Sequence, residues 1–308
     1  MAVAQLAGAT YVLHAPEPVG QVASLLSRLD SRVEGRGPFI VGFDFPIGIP
    51  ASYARCAGIQ RFLDQLPHFG TGQWSAFYDV ATTRGEVSPY RPFYPFRSGG
   101  TRHAHLTGAL GMTGIRDLLR SCERGNSNRS DASPLFWTLG PKQVGRAAIV
   151  GWRDVIAPAL IQPNCSVSVW PFHGELDDLL AVVAWARAAY PGRGLHLAGF
   201  SFGAEACLHL GLPSPGRGWS KRSQVDRQRL ADLLLKWALE RGVTISERLG
   251  AAIRDGFGSH ESGEDQFDSV LGLMSMTEVL LGHRSCAVPL EPSIHAVEGW
   301  IFGQAPAS

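Results

Sequence analysis

The sequence is short of charge of either sign. Only 18% of its 308 residues are Asp, Glu, Lys or Arg, and these nearly cancel to a formal net charge of +1. So balanced a chain has no global field to draw it to a polyanion or an anionic membrane, so any such contact must come from a local basic patch. Cysteine is sparse and scattered: Cys56, Cys122, Cys165, Cys207 and Cys286 include no C-x-x-C pair. An odd, dispersed set argues against a disulfide framework, excludes zinc-finger spacing and fits reduced thiols. No apolar run reaches the roughly 18–20 residues needed to cross a bilayer. The N-terminus shows no charged leader followed by an apolar stretch. Together these absences predict a soluble, cytoplasmic chain with no membrane partner, and no internal repeat or low-complexity tract is found.

What is present suits a globular α/β protein. Hydrophobic residues make up 45% of the chain, ample for a core. We read one domain over residues 1–308, with an irregular insertion at about 66–141. Val19, Val22, Leu25, Leu26 and Leu29 recur at helical spacing, predicting a helix over about 17–30. The apolar run Phe39–Phe45, bounded by Gly37-Pro38 and Pro46, suits a buried strand. Residues 51–65 read as helical. From 66 to 141, Gly, Pro, Ser, Arg and aromatics dominate, with a short helix near 113–123. So long an irregular stretch is usually functional or mobile. Arg97, Arg102, His103, His105, Arg116 and Arg120 make it the most basic part of the chain. Further helices are expected at 144–161, 175–190, from about 203, and at 221–241, 246–255 and 264–282. Strands are expected at 167–170 and 195–200, and 256–263 reads as a flexible joint.

Leu197–Ala204 contains Gly-Phe-Ser-Phe-Gly, which matches a nucleophile elbow with Ser201 at its tip. Residues 176–204 locally resemble the elbow region of small α/β-hydrolases. A hydrolase of that kind needs later strands ending in an acid and a histidine. Here helical pattern dominates after 205, and His260, His283 and His295 lack a strand-end setting. Two readings stand: a tight strand-to-helix turn, or a serine nucleophile acting on a small ester.

A second resemblance covers roughly residues 15–304. Its segments are Phe39–Pro50 (strand, Asp44, then Pro-Ile-Gly-Ile-Pro), Arg91–Pro95, Leu135–Gly140, Gln143–Ala148, Gly151–Asp154, Val169–Phe172, Gly218–Arg222, Asp255–Gly258, Gly263–Asp268 and Glu298–Gly303. In this order they are similar to domain of unknown function family 429. The resemblance implies a ribonuclease H-like mixed sheet flanked by helices, and metal-dependent phosphodiester hydrolysis with nucleic acid as partner. Two divalent ions held by carboxylates would activate water and stabilise the leaving oxygen, and Mg2+ or Mn2+ suits hard oxygen ligands. Asp44, at the end of an apolar strand, and Asp265 and Asp268, three apart on a helix flanked by the stripe Phe267, Val270, Leu271 and Met274, are the expected metal and catalytic residues. The alternatives are a capping or turn role for Asp44 before Pro46, and for Glu264 and Asp265 a place at a helix N-terminus that the dipole favours. Arg97 and Arg102 are the expected substrate-binding residues.

The chain departs from that family twice. Met1–Tyr11 carries no acidic residue where a strand Asp is expected, and Gly-Phe-Ser-Phe-Gly stands where a strand Glu is expected, with Glu205 on the next helix. A non-catalytic binding module is therefore a third reading. Lys221, Arg222, Arg227 and Arg229 could contact phosphates or form a solvated helix face. Trp137, Trp152, Trp170 and Trp219 could stack on bases or pack internally.

Overall fold

A computed structural model describes residues 1–33, 39–125, 130–139, 144–161, 196–199, 207, 210–213, 218–284, 290–300 and 304. The elements begin with β1 (Ala2–Ala7), β2 (Thr10–His14), α1 (Leu25–Val33), β3 (Phe39–Gly42), α2 (Ala51–Ala57), α3 (Phe62–Gln65), α4 (His103–Ala109) and α5 (Val144–Gly151). A π-helical turn (Trp152–Ile156), α6 (Ala157–Ile161) and β4 (His196–Gly199) follow. Then come α7 (Gln224–Arg229), α8 (Ala231–Glu240), β5 (Thr244–Ile245), α9 (Glu247–Asp255) and α10 (Ser262–Leu280). Helix and sheet are mixed, as expected. Among the described residues no helix is long and apolar enough to cross a membrane. The expected strand at 167–170, the helices at 175–190 and from about 203, Trp170, Ser201 and Glu205 lie outside the described residues.

The chain forms two compact units. The first comprises Met1–Gln21, Ser27–Asp44 and Asp177–Cys286; the second comprises Val22–Leu26, Phe45–Leu176 and Ala287–Ser308.

The first unit contains a five-stranded mixed sheet in the order β3-β4-β1-β2-β5. β1 and β2 form an antiparallel hairpin in which Ala7 pairs with Thr10, so Gly8 and Ala9 make a two-residue loop. Gly8 supplies the positive φ of 64° at the first loop position, which such tight hairpin turns require. Sequence periodicity missed this hairpin because β1 turns Ala2 and Ala4 to the core, and alanine gives little alternation signal. β3 and β4 are parallel, and β4 pairs antiparallel with β1. α10 packs against β4, β1 and β3. Its predicted stripe of Phe267, Val270, Leu271 and Met274 is fully buried, but every residue from Phe267 to Leu280 is buried as well. From Phe267 onward α10 is therefore a core helix.

The segment read as a flexible joint is tied down. Gly256, Phe257 and Gly258 all have positive φ, and Arg227, only 2% exposed, reaches into this bend. Its Nε donates to the Gly256 carbonyl at 2.8 Å and an Nη to that of Gly258 at 2.7 Å. Gly263 lets the guanidinium approach, since a Cβ there would lie 2.7 Å from Arg227 Nη2.

The second unit holds most of the irregular segment, and aromatic packing supplies its order. Phe69 stacks on Phe77 with centroids 3.6 Å apart. Trp152, fully buried, meets Phe62 edge-on at 5.0 Å and donates Nε1–H to the Pro46 carbonyl at 2.6 Å. Segments that looked like isolated motifs pair with one another. Tyr94 donates to the Phe136 carbonyl at 2.9 Å and accepts from Thr138 N at 3.0 Å. Ile49 N bonds the Val297 carbonyl at 2.8 Å. Glu298, 2% exposed, accepts from Ala51 N at 3.1 Å and Ser121 N at 2.8 Å. Arg120, itself buried against Glu123 at 2.9 Å, donates to the Glu298 carbonyl at 3.1 Å.

Gly48 is the tightest point of this knot: with φ at +140°, a Cβ would sit 2.0 Å from the Glu298 carbonyl oxygen. Gly48→Ala should therefore cost about 2–5 kcal/mol, combining backbone strain with overpacking. Gly58→Ala is the control, because Gly58 also has positive φ but faces open space; it should cost about 1 kcal/mol. Urea unfolding midpoints of the two variants check the difference.

Candidate functional site

A shared metal site requires Asp44, Asp265 and Asp268 to converge. β3 and β4 run parallel in register from Phe39↔His196 to Gly42↔Gly199, so their carboxyl ends coincide. Asp44 follows β3 at that end and is exposed, the edge at which open α/β sheets bind ligands. Asp265 is exposed in the first turn of α10. It lies near the Met1 ammonium, which donates to the Glu17 carbonyl at 2.9 Å. Burial lowers the pKa of that amine, while Glu17 and Asp265 act in the opposite sense. Asp268, one turn on, is only 4% exposed. Sharing a helix face thus did not give the two aspartates one environment. Among the described residues no three His, Cys, Asp or Glu side chains are gathered as an ion would require. Asp44, Asp265 and Asp268 are not brought together as such a set.

Asp268 is instead held by Lys221 in a close ion pair. The same ammonium lies 3.4 Å from Glu264, which Arg222 also approaches at 3.4 Å. Burial disfavours the charged Lys221, but Asp268 and Glu264 outweigh it and raise its pKa overall. A lysine so held is a fixed charge and a poor proton acceptor. Nearby Cys207 is 1% exposed; burial, reinforced by Asp268, pushes its thiol up to about 11, so it stays protonated and unreactive near neutrality. The expected basic face at 221–229 divides: Lys221 and Arg227 are engaged internally, while Arg222 and Arg229 keep exposed side chains in surface ion pairs. Lys221 serves Asp268, Arg227 serves backbone carbonyls, and Arg229 pairs with Asp226 at 2.8 Å. Trp219 packs edge-on to Phe267 at 6.2 Å.

The second unit presents a different arrangement. Residues 96–102 form a loop whose members other than Thr101 are exposed. Its base is fixed from several sides. Phe96 N donates to the Ala81 carbonyl at 2.9 Å, and Tyr94 Oη lies 3.1 Å from His105 Nδ1. The His103 ring meets Trp137 edge-on at 4.4 Å. Gly99 and Gly100 take φ of 144° and 63° with open space around them. On α5, Arg146 places its guanidinium 5.9 Å from the Phe96 ring centroid and donates to the Phe96 carbonyl at 3.1 Å.

Among the described residues, charge at this loop has no carboxylate partner. No Asp or Glu occurs from Val87 to Arg116. In the same unit Arg91, Arg116 and Arg120 each lie 2.9 Å from a carboxylate. Arg97, Arg102 and Arg146 have no such partner among the described residues. Sequence composition had singled out Arg97 and Arg102 but not Phe96 or Arg146. Arg146 stood within the Gln143–Ala148 segment, and only the fold brings it to the loop. The serine reading is not placed, since Ser201 lies outside the described residues.

No family model matches the chain, and searches of curated proteins and of solved structures returned no significant match.

Lys221→Met should destabilise the protein by about 3 kcal/mol at neutral pH, because it leaves the buried Asp268 without its cation. The sign of the pH effect follows from the raised pKa of Lys221. Its contribution is complete below the ordinary 10.5 and is lost as pH rises through the higher folded-state value. Unfolding midpoints across the alkaline range should fall in the parent more steeply than in Lys221→Met.

Proposed function

We propose that this chain is a nucleic-acid-binding α/β protein of ribonuclease H-like type, in which Arg97, Arg102 and Arg146 take the phosphate backbone. The observation that carries this reading is the set of three guanidinium groups around one anchored loop that have no carboxylate partner among the described residues. Guanidinium groups bind phosphate oxygens in bidentate fashion, and exposed unpaired arginines gain from releasing counterions on a polyanion. The near-zero net charge is consistent with a local patch acting alone. The ordered resemblance of the motif segments supports the same class of partner.

Hydrolysis is a second reading, favoured by the exposed Asp44 at the carboxyl end of β3. The described residues do not fit a complete two-metal centre, since Asp268 is engaged by Lys221 and the three aspartates do not converge.

Replacing Arg97 and Arg102 together by Glu should weaken binding of a fluorescent oligonucleotide at least about tenfold near 0.1 M salt. On a single strand, the slope of log affinity against log salt should fall by roughly 0.7 for each phosphate that the variant no longer neutralises. Unchanged affinity and slope would sink the reading. For the hydrolytic reading, cleavage of the same oligonucleotide in Mg2+ or Mn2+ should disappear in Asp44→Asn while binding persists.

A further inference from the structure

We infer that the loop at residues 96–102 takes single-stranded rather than duplex nucleic acid, with Phe96 stacking on an unpaired base while Arg97 and Arg102 hold neighbouring phosphates. This rests on the polyanion-binding reading above and adds the strandedness of the ligand.

The Phe96 ring, 54% exposed on a charged loop, forgoes burial, yet it is not left to wander. Its backbone amide is fixed to the Ala81 carbonyl at 2.9 Å, its carbonyl receives Arg146 at 3.1 Å, and the preceding Pro95 carbonyl accepts Thr138 Oγ1 at 2.6 Å. The Arg146 guanidinium at 5.9 Å from the centroid attends the ring, leaving a large part of its surface to solvent. The result is a flat apolar platform held in place beside unpaired cations. Every base has a π-face, so such a platform is indifferent to sequence. In a duplex those faces are already stacked on neighbouring pairs; in a single strand they can be turned out.

The same chemistry argues against an acidic peptide. Carboxylates would satisfy Arg97 and Arg102, but acidic side chains bring no flat ring of their own to set against Phe96, whereas every nucleotide carries a base beside its phosphate. Gly99 and Gly100, both in conformations that side chains rarely adopt and both facing open space, let the loop backbone follow a strand without obstructing it.

Fluorescence anisotropy of the full chain tests this with three probes: a labelled single-stranded oligothymidylate, a duplex of equal length, and labelled inorganic polyphosphate. The parent should prefer the single strand to the duplex. Phe96→Leu keeps an apolar side chain but removes the π-face; it should weaken the single strand about tenfold and leave polyphosphate within about twofold. Phe96→Trp should keep or tighten single-strand binding. Equal weakening for single strand and polyphosphate, or no weakening in Phe96→Leu, overturns the stacking assignment. If the Arg97/Arg102 charge reversal still abolishes binding in that case, the polyanion reading survives without it. If the charge reversal also changes nothing, both fall. Unchanged unfolding midpoints of the Phe96 variants separate these outcomes from misfolding.

Discussion

A carboxylate taken out of water must be given hydrogen bonds, and the second unit is arranged around the way Glu298 obtains them. Its two oxygens accept backbone amides from Ala51, at the start of α2, and from Ser121, at the start of a 3-10 turn. Both are helix-type N-termini, where amides lack internal partners and a negative charge is favoured. The Glu298 carbonyl meanwhile receives Arg120, whose own charge is balanced by Glu123. Removing any member would strand another buried polar group, which costs more than the bond itself contributes. The glycine at position 48 belongs to the same constraint, because no side chain fits between that turn and the Glu298 backbone.

The first unit handles buried charge in the same manner with different parts. Lys221 neutralises Asp268, Arg227 fills the carbonyls of a left-handed bend, and Glu278 accepts from Trp237 and Arg241. Cations that a sequence would offer for binding are thereby consumed internally. Arg97 and Arg102 of the 96–102 loop, by contrast, have no carboxylate partner among the described residues, and they stand beside an exposed ring on a loop whose base is anchored. Capacity to bind lies in the charge that a structure does not itself require.

Much of this was legible where a pattern repeats. The apolar run at 39–42, punctuated by Gly-Pro before and Pro after, is a strand, and the stripe at Phe267, Val270, Leu271 and Met274 marks the inner face of a helix. Boundaries were lost where a single backbone angle decides. Gly58 at φ 71° ends α2 inside a segment that reads as one helix, and the helix expected from about 17 begins at Leu25 after Gly20 turns at φ 70°. The site was partly legible for a related reason. Composition exposes a run with arginine and no acid, but whether a charge is satisfied depends on partners far away in sequence. Arg227 looked like a surface cation because a side chain bonded to main-chain carbonyls leaves no mark on residue spacing.

The knot at Glu298 also has a consequence in time. The residues it joins are 177 and 247 positions apart along the chain. At a synthesis rate of about 5–20 residues per second, Ser121 leaves the ribosome roughly 10–35 s before the carboxylate that will receive its amide. For that interval the aromatic segments of the second unit exist without their closing contact, and Arg120 and Glu123 have only each other. The contact that closes the second unit is therefore among the last that translation allows it to make.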